Sequence, residues 1–238
     1  MKINNTKDIQ YKPSYVCVYG CSGIGKTSLA KTLPPTRTLI VDAESGLASL
    51  ASTDAKHGID NISLSKDDNG KSLKEEDRYQ RFKEFMQLIQ QPEMKKKYDY
   101  IFIDSLTEIG QNIQKHMASI HEGFKLWGEY TSAMMSMVKF FRDLDHYTII
   151  FVALEGRIED DSGNSSAYPD IGGKKAKEYL LPAFDECFRM IVDGDKNRWL
   201  VTQSTAKTQA KDRSGKLSEL EAPHLGNILA KIRGEKTT

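Results

Sequence analysis

The sequence predicts an α/β protein: a mainly parallel central sheet flanked by helices, with antiparallel strands toward the C-terminus. Three observations predict it. Four short apolar runs, Tyr15–Tyr19, Thr38–Val41, Tyr100–Ile103 and Thr148–Leu154, are nearly continuous and end at turn or polar residues, the pattern of strands buried on both faces. Apolar residues recur at helical spacing between them. The tail changes character, with shorter runs separated by tight turns.

In chain order, residues 1–12 form an extension before the first strand. Lys26–Leu33 reads as a helix leaving that strand. Glu75–Gln90 carries Tyr79, Phe82, Phe85, Met86 and Ile89 on one helical stripe. Trp127, Tyr130, Met134, Met137, Val138, Phe141 and Leu144 form another. Both stripes are core packing, and no chemistry is assigned to them. Strands alternating with helices require crossover connections, hence parallel pairing. After residue 185, Glu186–Val192, Trp199–Gln203 and Lys207–Lys211 read as antiparallel strands, with Asp193–Lys196 turning between the first two. A helix, His224–Ile232, follows Pro223. Ser63–Lys74 is polar around Asn69-Gly70, and 155–173 is a long Gly/Ser-containing stretch expected to be mobile. The expectation is one domain over 1–238, with no repeat and no linker.

Composition narrows the function. The 238 residues carry 34 Lys+Arg against 33 Asp+Glu, a net +1, which excludes a polycation or an acidic tail protein. No apolar run approaches the roughly 18 residues of a membrane span. The N-terminus lacks the apolar centre of a signal peptide. Cys17, Cys21 and Cys187 make no CxxC pair, which argues against a disulfide framework or a cysteine zinc site. The expected location is cytoplasmic, with no membrane partner.

The chemistry sits in Gly20-Cys21-Ser22-Gly23-Ile24-Gly25-Lys26-Thr27, a full match to G-x-x-x-x-G-K-[ST] between a strand and a helix. The glycines let backbone N–H groups converge on phosphate oxygens. Lys26 would reach the β- and γ-phosphates, and the Thr27 hydroxyl would bind Mg²⁺. Asp104 ends the strand Tyr100–Ile103 where ligands bind in such sheets, and there it would hold the Mg²⁺. By itself it would equally serve as a cap for the helix from Ser105. Glu44, after Leu39–Asp42, is the candidate base for an attacking water, against a plain solvated loop acid. A guanine-reading [NT]-K-x-D is lacking downstream and Asp104 is followed by Ser-Leu-Thr, so ATP is the expected nucleotide.

With these residues, the chain resembles the RecA-like core ATPases, and most of all the small phage single-strand annealing recombinases of the Sak type. Val41–Glu44 and Asp104-Ser105 resemble RecA segments that activate water and bind metal. Leu126–Tyr130, Phe151–Glu155 and Pro169–Lys174 resemble signatures of the phage family, and the similarity runs from about residue 13 to the C-terminus. The resemblance implies an ATP- and Mg²⁺-dependent protein that binds single-stranded DNA, assembles as a ring or filament of identical subunits, and works beside a single-strand-binding protein. Ala210–Gly215 is similar to a K-x-R-x-G element, so Lys211 and Arg213 would act on a neighbouring subunit's γ-phosphate. Read from the residues alone, that segment is a solvated basic turn.

By the same resemblance, residues 155–173 and the lysines just beyond them would contact DNA. The candidates are Arg157, Tyr168 as a base-stacking ring, and Lys174, Lys175 and Lys177 on phosphates, against a solvated helix start. Glu155, Glu159, Asp160 and Asp161 oppose such contact in the first half. Residues 196–238 carry nine Lys/Arg against four Asp/Glu, a local +5. Glu155 stands where RecA has a γ-phosphate-sensing Gln. Two alternatives remain open. One is a nucleotide-gated helicase loader or assembly switch with little turnover. The other is a small-molecule kinase, for which no arginine-rich lid is evident.

Overall fold

The computed structural model describes residues 5, 15–51, 58–159 and 163–236. The expected extension at 1–12 lies outside these residues apart from Asn5, as do Asp160 and Asp161. Six strands form the parallel body. They are β1 (Tyr15–Gly20), β2 (Thr38–Asp42), β3 (Asp60–Ser63), β4 (Tyr100–Asp104), β5 (Thr148–Glu159) and, after β6 (Ser165–Pro169), β7 (Glu186–Val192). β8 (Arg198–Val201), β9 (Lys211–Asp212) and β10 (Leu220–Glu221) complete the sheet. The order is β10-β8-β7-β1-β5-β4-β2-β3, with β6 on β5 and β9 on β7. β8, β9 and β10 run antiparallel, as the tail pattern predicts.

The four predicted central strands are all present, each extended by a residue or more at its C-terminal end. As far as Ala153 on β5, they carry almost no exposed surface because helices cover both faces. On one face, Tyr15, Cys17 and Tyr19 meet α1 (Glu75–Leu88), α3 (Leu106–Ala118), α4 (Gly123–Arg142) and α5 (Lys174–Ala183). On the other, Val16 and Val18 meet Leu29, Leu33 and α6 (Leu225–Arg233). The strand period of two thus divides one core into two layers. A short helix, α2 (Pro92–Lys97), leads into β4.

Several departures from the sequence reading have physical causes. The helix expected at Lys26–Leu33 is a six-residue 3-10 segment, Thr27–Thr32, cut short by Pro34 and Pro35. Among its described residues, the stretch 155–173 is not an irregular loop. β5 runs through to Glu159 and pairs antiparallel with β6, Glu155 opposite Pro169 and Glu159 opposite Ser165. Tyr19 Oη anchors this ribbon by donating to Ala167 O at 3.0 Å. Ser63–Lys74 is a folded turn, with Leu64 fully buried and Asp67 N donating to Lys71 O at 2.9 Å. In the α4 stripe, Tyr130, Met134, Met137, Val138 and Phe141 are buried. Trp127, in the first turns, is 44% exposed because only its inner edge meets Tyr130. Lys207–Lys211 contributes only the Lys211 end to a strand.

Among the described residues no helix is long and apolar enough to cross a membrane. Phe141 locks α4 to the sheet, its ring in edge contact with Phe151 at 5.4 Å and near Phe82 at 5.9 Å. Phe141→Ala is expected to cost about 3–5 kcal/mol in urea unfolding, through lost burial and an unfilled cavity.

Candidate nucleotide site

The loop after β1 turns back sharply at the sheet's C-terminal edge. A Cβ on Gly20 would lie 2.7 Å from Met190 O, so β7 permits only glycine there. Gly23 (φ 73°) and Gly25 (φ 107°) take left-handed backbone that other residues resist. This geometry explains the glycines of the motif. The loop edges a cavity of about 580 Å³ with Lys26, Thr27, Glu44, Asp104, Leu154 and Arg198 among its walls.

The predicted phosphate-loop and metal-strand residues converge here. Thr27 Oγ1 donates to Asp104 Oδ2 at 2.6 Å. Register makes the approach possible: Gly20 is level with Leu154 on β5, and Asp104 is level with Val152 on the same strand. Lys26 Nζ donates to Gly20 O and Cys21 O, both at 2.8 Å. It therefore holds the loop from within, and desolvation pushes its pKa down. Glu44 lies on the cavity wall at the end of the β2 turn, its Oε1 accepting from Ser105 Oγ. Asp42, one of the strand-end acids, is buried, and desolvation raises its pKa.

Asp104 is the strongest electrostatic feature. It is 3% exposed, and burial pushes its pKa up to about 6 despite the Thr27 hydrogen bond. Glu44 and Asp42 add repulsion. A carboxylate left thus, beside a hydroxyl and open to a cavity, suits a hard cation with oxygen ligands. Thr27 and Asp104 fit Mg²⁺, which would take its remaining ligands from phosphate and water. No cluster of three His, Cys, Asp or Glu able to hold a metal occurs among the described residues.

The remaining expectations fare differently. Glu155, which the resemblance would set where RecA has its sensing Gln, is bound in a bidentate pair to Arg189, at 2.9 and 2.8 Å, and Arg189 also donates to Thr208 Oγ1. Tyr168 is not available for base stacking. It is 3% exposed, its hydroxyl exchanges hydrogen bonds with Ile171, and Lys177 Nζ lies 4.9 Å from its ring centroid. The ribbon folds the ring inward, which a mobile loop would not. Arg157 is exposed on β5. Lys174 and Lys175 lie on α5, with side chains outside the described ones. Lys211 and Arg213 do not line this chain's own cavity. Lys211 Nζ donates to Pro182 O and Phe184 O, and Arg213 pairs with Asp185 at 2.5 Å. Cys21 is exposed and free in the loop.

Sequence reasoning missed Met190, Arg198 and Pro223, which supply the wall on the β7–β8 side. No local motif marks them, because Arg198 reaches Ile24 O across 174 residues of chain.

An AAA domain family matches residues 12–214. The fold is also similar to a solved prototypical ATPase from the type III secretion system of pathogenic bacteria, at 13% identity and a TM-score of 0.49 over 77% of this chain. The chain spans about half, 52%, of that structure. No curated protein sequence matches.

Asp104→Asn removes a buried charge while keeping an acceptor for Thr27. It is expected to stabilise the nucleotide-free protein by up to about 3 kcal/mol at pH 7.5. The native pKa, about 6, lies above the ordinary 3.8, so the native state binds the extra proton. The advantage of Asn should therefore be full above pH 6 and shrink toward pH 4, as urea unfolding at pH 7.5 and pH 5 would show.

Proposed function

The chain belongs to the AAA domain family, and we propose that it is an oligomeric ATPase that binds single-stranded DNA and promotes annealing or recombination of a phage genome. The observation that carries the nucleotide half is the joining of Thr27 to Asp104, 2.6 Å apart, in the wall of a cavity that Lys26 and Glu44 also line. Loop amides and Lys26 bind the phosphates. Lys26 would exchange its two loop carbonyls for phosphate oxygens when nucleotide enters. Mg²⁺, when bound, neutralises charge building on the β- and γ-phosphates. Glu44 orients and deprotonates the attacking water, with the Ser105 hydroxyl holding its carboxylate at the cavity rim.

The DNA half rests on the order of motifs that resembles the phage recombinases. Exposed Arg157 on the ribbon and the lysines that open α5 support it. A single-strand-binding protein is the partner this reading implies. Lys211 and Arg213 would act across the interface, with Arg213 leaving Asp185 for the neighbour's γ-phosphate.

A second reading draws on those same contacts. Both cations are engaged within their own chain, which favours a nucleotide-gated loader or assembly switch with low intrinsic turnover.

Steady-state hydrolysis with and without single-stranded DNA, with Lys26→Ala as the blank, separates the two. Stimulation by single strands that Lys26→Ala abolishes is the expected result. Nucleotide binding without any DNA effect would replace it with the switch reading. Arg213→Ala is expected to retain ATP binding within about twofold and to lower turnover at least about 100-fold. Normal turnover would remove Arg213 from the mechanism.

A further inference from the structure

Arg198 opens β8 at the lip of the nucleotide cavity, and nothing in the phosphate-loop chemistry accounts for it. Its Nε donates to Ile24 O, a carbonyl of the phosphate loop, at 2.8 Å. The side chain crosses the loop closely: a Cβ on Gly25 would meet Arg198 Nε and the Met190 methyl, each at 3.6 Å. Among the described residues the two terminal guanidinium nitrogens have no protein partner. The group is thus tethered by one edge, exposed, and left with its plane and two amino groups uncommitted.

The strand order decides which part of a nucleotide it meets. Thr27, Asp104 and Glu44 mark the metal and γ-phosphate end, and they lie toward β4 and β2. Met190 on β7, Arg198 on β8 and Pro223 lie on the opposite flank of β1. A triphosphate laid along the loop with its γ end at Asp104 sends its nucleoside toward this second wall. That wall has the right chemistry: a thioether, a proline ring and a planar cation, all of which pack on a π-face. A lysine or a carboxylate there would read phosphate or ribose instead.

Resting on the nucleotide reading of the site, we infer that Arg198 is a nucleoside-binding residue, its guanidinium plane covering the base while Ile24 O fixes its orientation. It adds affinity to ATP and ADP alike, because it acts away from the γ-phosphate. It also makes ATP and ADP better ligands than a bare polyphosphate, a preference the loop alone would not supply.

The test is calorimetric titration of the full chain and of Arg198→Ala and Arg198→Lys with MgATP, MgADP and magnesium tripolyphosphate. Arg198→Ala is expected to weaken ATP and ADP equally, by about tenfold, and to leave tripolyphosphate within about twofold. Arg198→Lys should match Ala, since it keeps the charge and loses the plane. In turnover, KM should rise with kcat unchanged. Equal weakening of tripolyphosphate would overturn the inference, making Arg198 a brace for the loop through Ile24. Unchanged ATP affinity in Arg198→Ala would overturn it too. If the unaltered chain binds neither ATP nor tripolyphosphate, the nucleotide reading itself fails, a separate result.

Discussion

The hydrogen bond from Thr27 to Asp104 is the constraint on which the site depends. It joins two segments that the sheet does not pair directly, since β5 lies between β1 and β4. Its geometry requires the two strands to end within reach of each other across β5, and the parallel register supplies that, setting Gly20 level with Leu154 and Asp104 level with Val152. It also requires a loop that doubles back without side chains in the way, and Gly20, Gly23 and Gly25 supply that. The hydrogen bond does not satisfy the carboxylate. Desolvation still lifts the Asp104 pKa to about 6, so the protein alone holds electrostatic strain here that a cation would relieve. Stability is given up where ligand binding recovers it.

Around this centre the architecture is asymmetric. Acidic groups gather on the β4–β2 flank, while the β7–β8 flank presents a thioether, a guanidinium and a proline. The second flank is built where the parallel body, through Met190 on β7, meets the antiparallel tail, through Arg198 on β8. Beyond that wall, Arg189 ties Glu155 at the root of the β5–β6 ribbon to Thr208 ahead of β9. The ribbon is therefore braced to the sheet at the very edge of the nucleotide cavity.

Much of this is legible in the sequence. The phosphate loop and Asp104 are readable because each motif is local: a glycine pattern between a strand and a helix, and an acid ending an apolar run. The central strands are readable because burial on both faces leaves continuous hydrophobicity. What escapes is whatever depends on folded contacts that no local pattern announces. The ribbon's strands are mixed in polarity, so 155–173 reads as loop until β6 is seen to pair with β5. Tyr168 reads as a free ring until Ile171 and Lys177 enclose it. Arg198 reads as one charge in a basic tail, since its partner carbonyl belongs to a loop near the other end of the chain.

The central claim is that Thr27 and Asp104 form a magnesium-dependent nucleotide site. Its most direct test is ATP affinity with Mg²⁺ and with EDTA, for the unaltered chain and for Asp104→Asn. Mg²⁺ should strengthen ATP binding to the unaltered chain by about tenfold or more and make little difference to the variant. Equal affinity with and without Mg²⁺ in the unaltered chain would contradict the account.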